Sequence, residues 1–405
     1  MKILVVCQYY YPEPFRVNDI CEEMVKRGHE VTVVTGEPNY PEGQIYKGYE
    51  KHAHANEIIN GVRIHRCPII PRKTGTTYRL LNYFSYPYHA KKYIRRLMKS
   101  EDTAFDVVFV NQLSPVMMAE PAIVYKKKTH IPVVIYCLDL WPESLVAGGV
   151  SRNSLIYKAF HRLSKKIYRS VDRILITSRM FKNYLEEQFS IDGEKIEYLP
   201  QYAEGLFERL PYKESGKEID LVFAGNIGEI QSVETIIRAA KKLENESVYF
   251  HIVGGGTDLE RIKEIGRNLK NVTFYGRRPL EEMPKFYSKA DAMLVTLKAD
   301  PVLSLTLPGK VQSYMAVGKP IIGAIDGETS IVIKEAQCGF CGNAEDVDGL
   351  VNNIRLFVRD SDKERMGQNA RSFYEKYFER QKFMDGLERE MTRIIGEETH
   401  YELPK

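Results

Sequence analysis

The chain reads as an α/β protein of two doubly wound, Rossmann-like domains. Three observations predict this. Its 405 residues exceed what one hydrophobic core usually organises and suit two domains. Short apolar, β-branched runs alternate with amphipathic helical stretches almost throughout, the pattern of parallel strands covered by helices. That alternation lapses once, around 200–215, and then restarts.

In the first half, Lys2–Cys7 is a β-rich apolar run. Val17–Arg27 has helical periodicity and ends at Gly28. Strands are expected at Glu30–Thr35, Gly61–Pro68, Val107–Val110, Val133–Cys137 and Arg173–Thr177. In the second half, strands Ile219–Ala224, Val248–Val253, Val272–Tyr275, Ala292–Thr296 and Pro320–Ala324 alternate with helices at Ser232–Leu243, Asp258–Leu269, Glu281–Ser288 and Lys310–Val317. Two long charged helices, Lys363–Phe378 and Gln381–Gly396, close the chain. The expected domains are 1–205, joined by a final helix over 380–405, and 206–379. Between them an open cleft would bind ligands at the carboxyl ends of the strands.

Composition excludes several classes. At 43% hydrophobic and 28% charged, the chain is ordinary globular material. No apolar run approaches a membrane span, and Met1–Cys7 is too short for a signal peptide, so a cytoplasmic protein is expected. Six scattered cysteines fit reduced thiols. Cys338-Gly-Phe-Cys341 lacks the second pair that zinc would need, so no metal is expected. The segment after the first strand, Cys7-Gln8-Tyr9-Tyr10-Tyr11-Pro12-Glu13, is bulky where a dinucleotide fold would carry Gly-x-Gly-x-x-Gly. No P-loop occurs either.

Charge is uneven. Residues 1–200 carry 29 basic and 21 acidic side chains, whereas 51–100 alone carry 11 and 1. A basic first half points to an anionic partner. Residues 77–99 interleave Tyr and Phe with Arg79, Lys91, Lys92, Arg95, Arg96 and Lys99. Such a segment suits reversible attachment to an anionic membrane surface. No nucleic-acid module accompanies it.

The second half carries the chemistry. Leu307-Pro308-Gly309-Lys310 opens a helix, where free N–H groups and the dipole favour an anion and Lys310 adds a full charge. Gly225-Asn226-Ile227-Gly228, Gly254-Gly255-Gly256 and Gly276-Arg277 each follow a strand, and glycine there lets backbone approach an oxyanion closely. Three such loops on one rim, with the helix start, form a nucleotide-diphosphate signature.

With Tyr9-Tyr10-Tyr11-Pro12-Glu13, Arg27-Gly28-His29-Glu30-Val31, Asp139-Leu140-Trp141-Pro142-Glu143-Ser144, Ile252-Val253-Gly254-Gly255-Gly256 and Gly318-Lys319-Pro320 in family order, the chain resembles the family 4 glycosyltransferases of GT-B fold over nearly its whole length. The Asp-Leu-Trp-Pro-Glu-Ser and Gln-Ser-Tyr-Met-Ala-x-Gly-Lys-Pro-Ile wording looks most like the bacterial L-fucosamine transferases of capsule and O-antigen assembly. The resemblance implies a retaining, metal-independent transferase. Its C-terminal domain would hold a nucleotide sugar, as substrate rather than cofactor, and its N-terminal domain the sugar or lipid-linked acceptor. The final helix would cross back onto the N-terminal domain.

Departures from the family redistribute the roles. Where relatives place diphosphate-binding Arg and Lys, this chain has Asn226 and Gln231. Where they place two glutamates near the donor sugar, it has Leu305 and Ser313. Donor contacts are therefore expected from Lys310 and Arg277 on phosphate, and from Asp300 and Ser304 on sugar hydroxyls. Gly225, Asn226, Gly228, Gln231, Gly254, Gly255, Pro308, Gly309 and Ser313 complete that rim. Relatives commonly carry His just before Asp139, where this chain has Leu138. Asp139 would thus assist or orient the acceptor hydroxyl, with Lys310 stabilising the leaving group. Glu13, Arg16 and Asn111 would line the acceptor pocket. Two other readings remain: a nucleotide-sugar 2-epimerase on the same fold, and a non-catalytic nucleotide-sugar-binding partner.

Overall fold

A computed structural model describes residues 1–71, 76–99, 104–147, 149–211, 213, 216 and 218–401. The chain divides into two units. The first comprises residues 1–177, 181–199 and 384 onward, and the second 178–180 and 200–383.

Unit 1 is built on eight strands: β1 (Lys2–Val6), β2 (Glu30–Gly36), β3 (Asn56–Ile59), β4 (Val62–Cys67), β5 (Val107–Gln112), β6 (Val133–Cys137), β7 (Arg173–Ile176) and β8 (Ile196–Tyr198). They lie in the order β3-β4-β2-β1-β5-β6-β7-β8. All neighbours are parallel except β3, which pairs antiparallel with β4. β1, β5, β6 and β7 are almost wholly buried, as continuous apolar runs covered on both faces must be. The chain runs outward from β1 in one direction and from β5 in the other. The loops after β1, β5 and β6 therefore gather at the point where strand order reverses, the usual place for a ligand in such sheets.

Unit 2 holds six parallel strands: β9 (Ile219–Ala224), β10 (Val248–Val253), β11 (Val272–Gly276), β12 (Ala292–Thr296), β13 (Ile321–Ala324) and β14 (Gly339–Gly342), ordered β11-β10-β9-β12-β13-β14. Here the order reverses between β9 and β12. The helix Gly309–Ala316 packs Val311, Tyr314 and Met315 into the core that includes Met293, Val295 and Ile321. The Tyr314 hydroxyl donates to the Ala224 carbonyl at 3.1 Å, so the helix is keyed to the end of β9.

β3, β8 and β14 were not expected from the sequence. All three are short edge strands, too brief for a periodicity. Cys341 lies on β14 and Cys338 just before it. Both are free thiols, and burial pushes the Cys338 thiol up to about 12. Among the described residues, no group of His, Cys, Asp or Glu is arranged to hold a metal ion.

The last helix, Arg380–Tyr401, belongs to unit 1 from Met384 onward. Arg27 donates to Asp385 and Glu388, each at 2.8 Å, and His29 Nε2 lies 2.9 Å from Glu388. The Arg-Gly-His motif is thus an anchor for this helix. Deeper in, Arg173 and Glu390 meet at 3.4 Å with both side chains only 4% exposed. Removing one partner of such a pair strands a buried charge. Glu390→Ala is therefore expected to lower unfolding stability by ~3 kcal/mol. Arg173→Met combined with Glu390→Leu should recover most of that loss, as urea titration of the three proteins would show.

Candidate functional site

Lys310 is the second residue of the helix Gly309–Ala316, whose N-cap is Pro308. Its stem is partly exposed, but its ammonium is sealed from solvent and has no hydrogen-bond acceptor. It lies 3.9 Å from the centre of the Phe223 ring. Desolvation alone drives its pKa down, to about 7. A buried ammonium without an acceptor is costly, and a ligand phosphate would be its natural partner. The neighbouring loop makes room for this. Gly225 has φ +143°, and a Cβ there would come within 2.7 Å of Lys310 Nζ, so glycine leaves the amine its present place.

The glycine loops do something other than expected. Gly225 N donates to Val253 O, Ile227 N to Gly255 O and Gly254 N to Gly276 O, each at 2.9 Å. The ladder of the sheet thus continues past its strand ends, consuming amides that were expected to face an oxyanion. Gly254 is glycine because it has φ +151° and a Cβ there would sit 1.8 Å from the Gly225 carbonyl oxygen. Gly228 N is likewise used, donating to Gln231 Oε1 at 3.1 Å. Among the described residues, the amides of Asn226, Gly255, Gly309 and Lys310 have no protein acceptor. These are the donors the rim leaves for an anion.

Other expected donor contacts are occupied within the protein. Asn226 Nδ2 donates to Gln231 Oε1 at 2.9 Å, so the two amides that replace the family's cations brace their own turn. Asp300 Oδ1 accepts from Val302 N at 2.7 Å and Leu303 N at 3.0 Å, which ties it to the start of the turn Leu303–Leu305. Ser304 Oγ donates to Pro301 O at 2.8 Å. Ser313 is buried inside the helix, and its hydroxyl donates to Glu204 at 3.2 Å. Short polar side chains in tight loops satisfy nearby backbone first, which sequence alone does not reveal. Arg277 differs. It is exposed on the rim beside Gly255, and nothing among the described residues pairs its guanidinium.

Glu328 was missed. It opens the helix Glu328–Glu335 after β13, its side chain is 1% exposed, and Arg179 donates to it at 2.8 Å. Gly327 before it has φ +66°, and a Cβ there would strike the Ser304 carbonyl. A Gly-Glu at a strand-to-helix turn was the available signal.

In unit 1, Asp139 follows β6. Its side chain is partly buried, and desolvation raises its pKa against the opposing hydrogen bonds from Ser114. Ser114 Oγ donates to Asp139 Oδ2 at 3.3 Å, and Gln112 Nε2 donates to the Asp139 carbonyl at 2.9 Å. Tyr168 in turn donates to Gln112 Oε1 at 2.8 Å. The carboxylate is thereby fixed in place from the loop after β5. Its neighbour Glu143 accepts from Tyr157 at 2.6 Å, from Tyr184 at 2.7 Å and from Arg152 at 2.9 Å, locking the rest of the Asp139–Ser144 loop.

Glu13 is a correction. It is completely buried, and its carboxylate accepts the amides of Asn39 at 2.8 Å, Tyr40 at 2.7 Å and Tyr10 at 3.3 Å. It ties two loops together and presents no surface to an acceptor. Arg16 begins the helix Arg16–Lys26, close enough to the Tyr136 phenol to act on it electrostatically. Asn111 is buried at the carboxyl end of β5.

Residues 16–201 match Glycosyltransferase Family 4, and residues 207–373 match Glycosyl transferases group 1. Both halves are glycosyltransferase domains, and the fold is GT-B. An Escherichia coli protein described as "Putative colanic acid biosynthesis glycosyl transferase WcaI" is 26% identical over 382 residues, covering 88% of this chain and 91% of that one. Sucrose-phosphate synthase from Thermosynechococcus elongatus superposes with a TM-score of 0.74 at 15% identity, covering 98% of this chain and all of the other. Anabaena HepE, solved with UDP and glucose, gives 0.67 at 15% identity over 97% of this chain and 99% of its own. Lys310 and the glycine rim fall within the residues that match Glycosyl transferases group 1, and Asp139 within those that match Glycosyltransferase Family 4.

Proposed function

We propose that the protein is a retaining glycosyltransferase. It moves a hexosyl or N-acetylhexosaminyl unit from a UDP-sugar, bound by residues 206–379, to a sugar acceptor bound by residues 1–205. The observation that carries this reading is the buried, acceptor-less ammonium of Lys310 beside Gly225. Such a group needs an anion, and a donor diphosphate brings one. The UDP bound to HepE supports the choice of base, and the colanic acid role in the WcaI name supports bacterial surface polysaccharide synthesis. The Asp139–Ser144 wording supports a place beside the L-fucosamine transferases, with a polyprenyl-diphosphate-linked acceptor.

In the reaction, the acceptor oxygen bonds to the sugar's anomeric carbon on the face from which the phosphate leaves. The anomeric carbon–oxygen bond to the diphosphate breaks with its electron pair. The acceptor proton passes to the departing phosphate oxygen. Lys310, Arg277 and the free amides at Gly309 and Lys310 stabilise the charge that develops on the diphosphate. Asp139 orients the acceptor hydroxyl and strengthens its nucleophilicity. No metal or cofactor enters.

A thermal-shift screen with UDP-, GDP- and dTDP-sugars tests the donor, because a ligand held only by the folded protein raises its melting point. UDP-sugars should give the largest rise. If none shifts the transition, the donor reading fails. A shift without turnover across a broad acceptor panel would instead favour a non-catalytic nucleotide-sugar-binding protein. The C2-epimeric nucleotide sugar, formed without any acceptor, would favour the epimerase.

The same reading places the protein at the cytoplasmic face of the plasma membrane, held by residues 77–99. The helix Thr76–Leu97 buries Tyr83, Tyr86, Ala90 and Ile94 and exposes Leu81, Phe84, Tyr88, Lys92, Arg95 and Arg96. The side chains of Thr77 and Arg79 lie outside the described residues. No helix among the described residues is long and apolar enough to cross a membrane.

A further inference from the structure

The basic end of that helix does more than present charge. Lys92, Arg95, Arg96 and Lys99 line a pocket of about 610 Å³ together with Lys128, which comes from a different helix, Glu120–Thr129. Nearby cations are neutralised: Lys91 pairs with Glu120 and Lys126 with Asp172. Among the described residues, none of the five that line the pocket has an acidic partner. Five like charges around one small volume create a positive potential that attracts an anion.

We propose that this pocket binds the phosphate headgroup of an anionic membrane phospholipid. Two features favour a lipid over a soluble polyanion. The exposed positions Leu81, Phe84, Tyr88, Lys92 and Arg95 follow one another at intervals of three and four, so apolar and basic groups share a single helix face. Tyr88 is 63% exposed and Phe84 49%. Phe84 also stacks on Phe160 at 6.1 Å, which joins the patch to the helix carrying Leu155, 83% exposed, and Ile156. The face therefore lies flat on a bilayer, with its aromatic end at the acyl boundary and its pocket over a headgroup. This inference rests on the membrane reading above but adds a site with a defined wall.

Lys128 and Lys127 distinguish the two, because both are exposed but only Lys128 lines the pocket. Flotation of the full-length protein with vesicles of phosphatidylcholine containing phosphatidylglycerol is the assay. Lys128→Ala is expected to weaken binding about fivefold, the effect of one well-placed cation. Lys127→Ala should change it less than twofold, and Phe84→Ser should weaken it while leaving the Lys128 effect in place. Equal losses from Lys127→Ala and Lys128→Ala would mean diffuse attraction and overturn the pocket alone. Failure of the unmutated protein to float with these vesicles would overturn the membrane reading as well. Binding of inorganic diphosphate that rivals vesicle binding, with no effect of Phe84→Ser, would assign the pocket to a soluble anion and overturn the lipid.

Discussion

Replacing Lys310 by methionine is expected to lower turnover by about 10²–10³-fold, the usual consequence of deleting one group that meets developing oxyanion charge. The same change should raise the melting temperature of the ligand-free protein. The two effects have one cause. The ammonium sits in a desolvated place over Phe223 without an acceptor, and its pKa falls to about 7. An amine whose folded pKa lies below its unfolded value penalises the folded state. The penalty is complete below pH 7, shrinks as pH rises and vanishes above the ordinary lysine pKa. Methionine fills similar volume without charge and escapes it, so a gain of at least ~4 °C at pH 7 is reasonable for a unit of this size. Donor binding reverses the logic, since a diphosphate beside the amine restores its positive form. Above pH 7, UDP binding should therefore take up a proton, and affinity should fall as pH rises. Calorimetry in two buffers of different ionisation enthalpy measures the uptake directly. A methionine variant that still shows a full UDP-dependent thermal shift would remove Lys310 from the donor site.

The architecture was legible because buried parallel strands leave continuous apolar runs. β6, β9, β10 and β12 fall on the expected residues, and the other expected strands lie within one or two of theirs. What periodicity could not find were the edge strands β3, β8 and β14. The site was legible only in part, and the division has a physical basis. Lys310 could be recognised because Pro-Gly-Lys marks a helix start. Its burial could not, since that depends on Phe223 and Gly225 from another strand end. Glu13, Asp300 and Ser304 are polar residues in loops, yet each is spent on holding those loops in shape, and Ser313 is spent inside its helix on Glu204. A sequence shows which side chains could reach a ligand. It does not show which have already found a backbone partner. Glu328 is the converse case: a buried carboxylate whose Arg179 partner lies 149 positions earlier in the chain.

Asp139→Asn is expected to cut turnover by about 10²–10⁴-fold, the range for losing a positioned acid–base group, with little change in stability. The substitution keeps the shape and one oxygen, so Ser114 can still donate to it and the Gln112 bond to the Asp139 carbonyl is untouched. What disappears is the negative charge. In the native protein that carboxyl is desolvated and titrates above the ordinary aspartate value. Only its ionised form can draw on an acceptor hydroxyl. Activity should therefore fall as pH drops through the raised pKa, and the Asn variant should lack this acid limb. A raised pKa also means that ionisation costs folding stability: the carboxyl is most favourable when protonated, and the folded state loses stability as pH rises through its pKa. Asn, neutral at every pH, should thus be as stable as the native protein or slightly more so at pH 7. A capping role alone predicts the opposite pair of results, an unchanged rate and a lower melting point. Full pH–rate profiles of the two proteins, run beside their melting curves, separate the carboxylate that acts on the acceptor from one that merely holds the turn before Trp141.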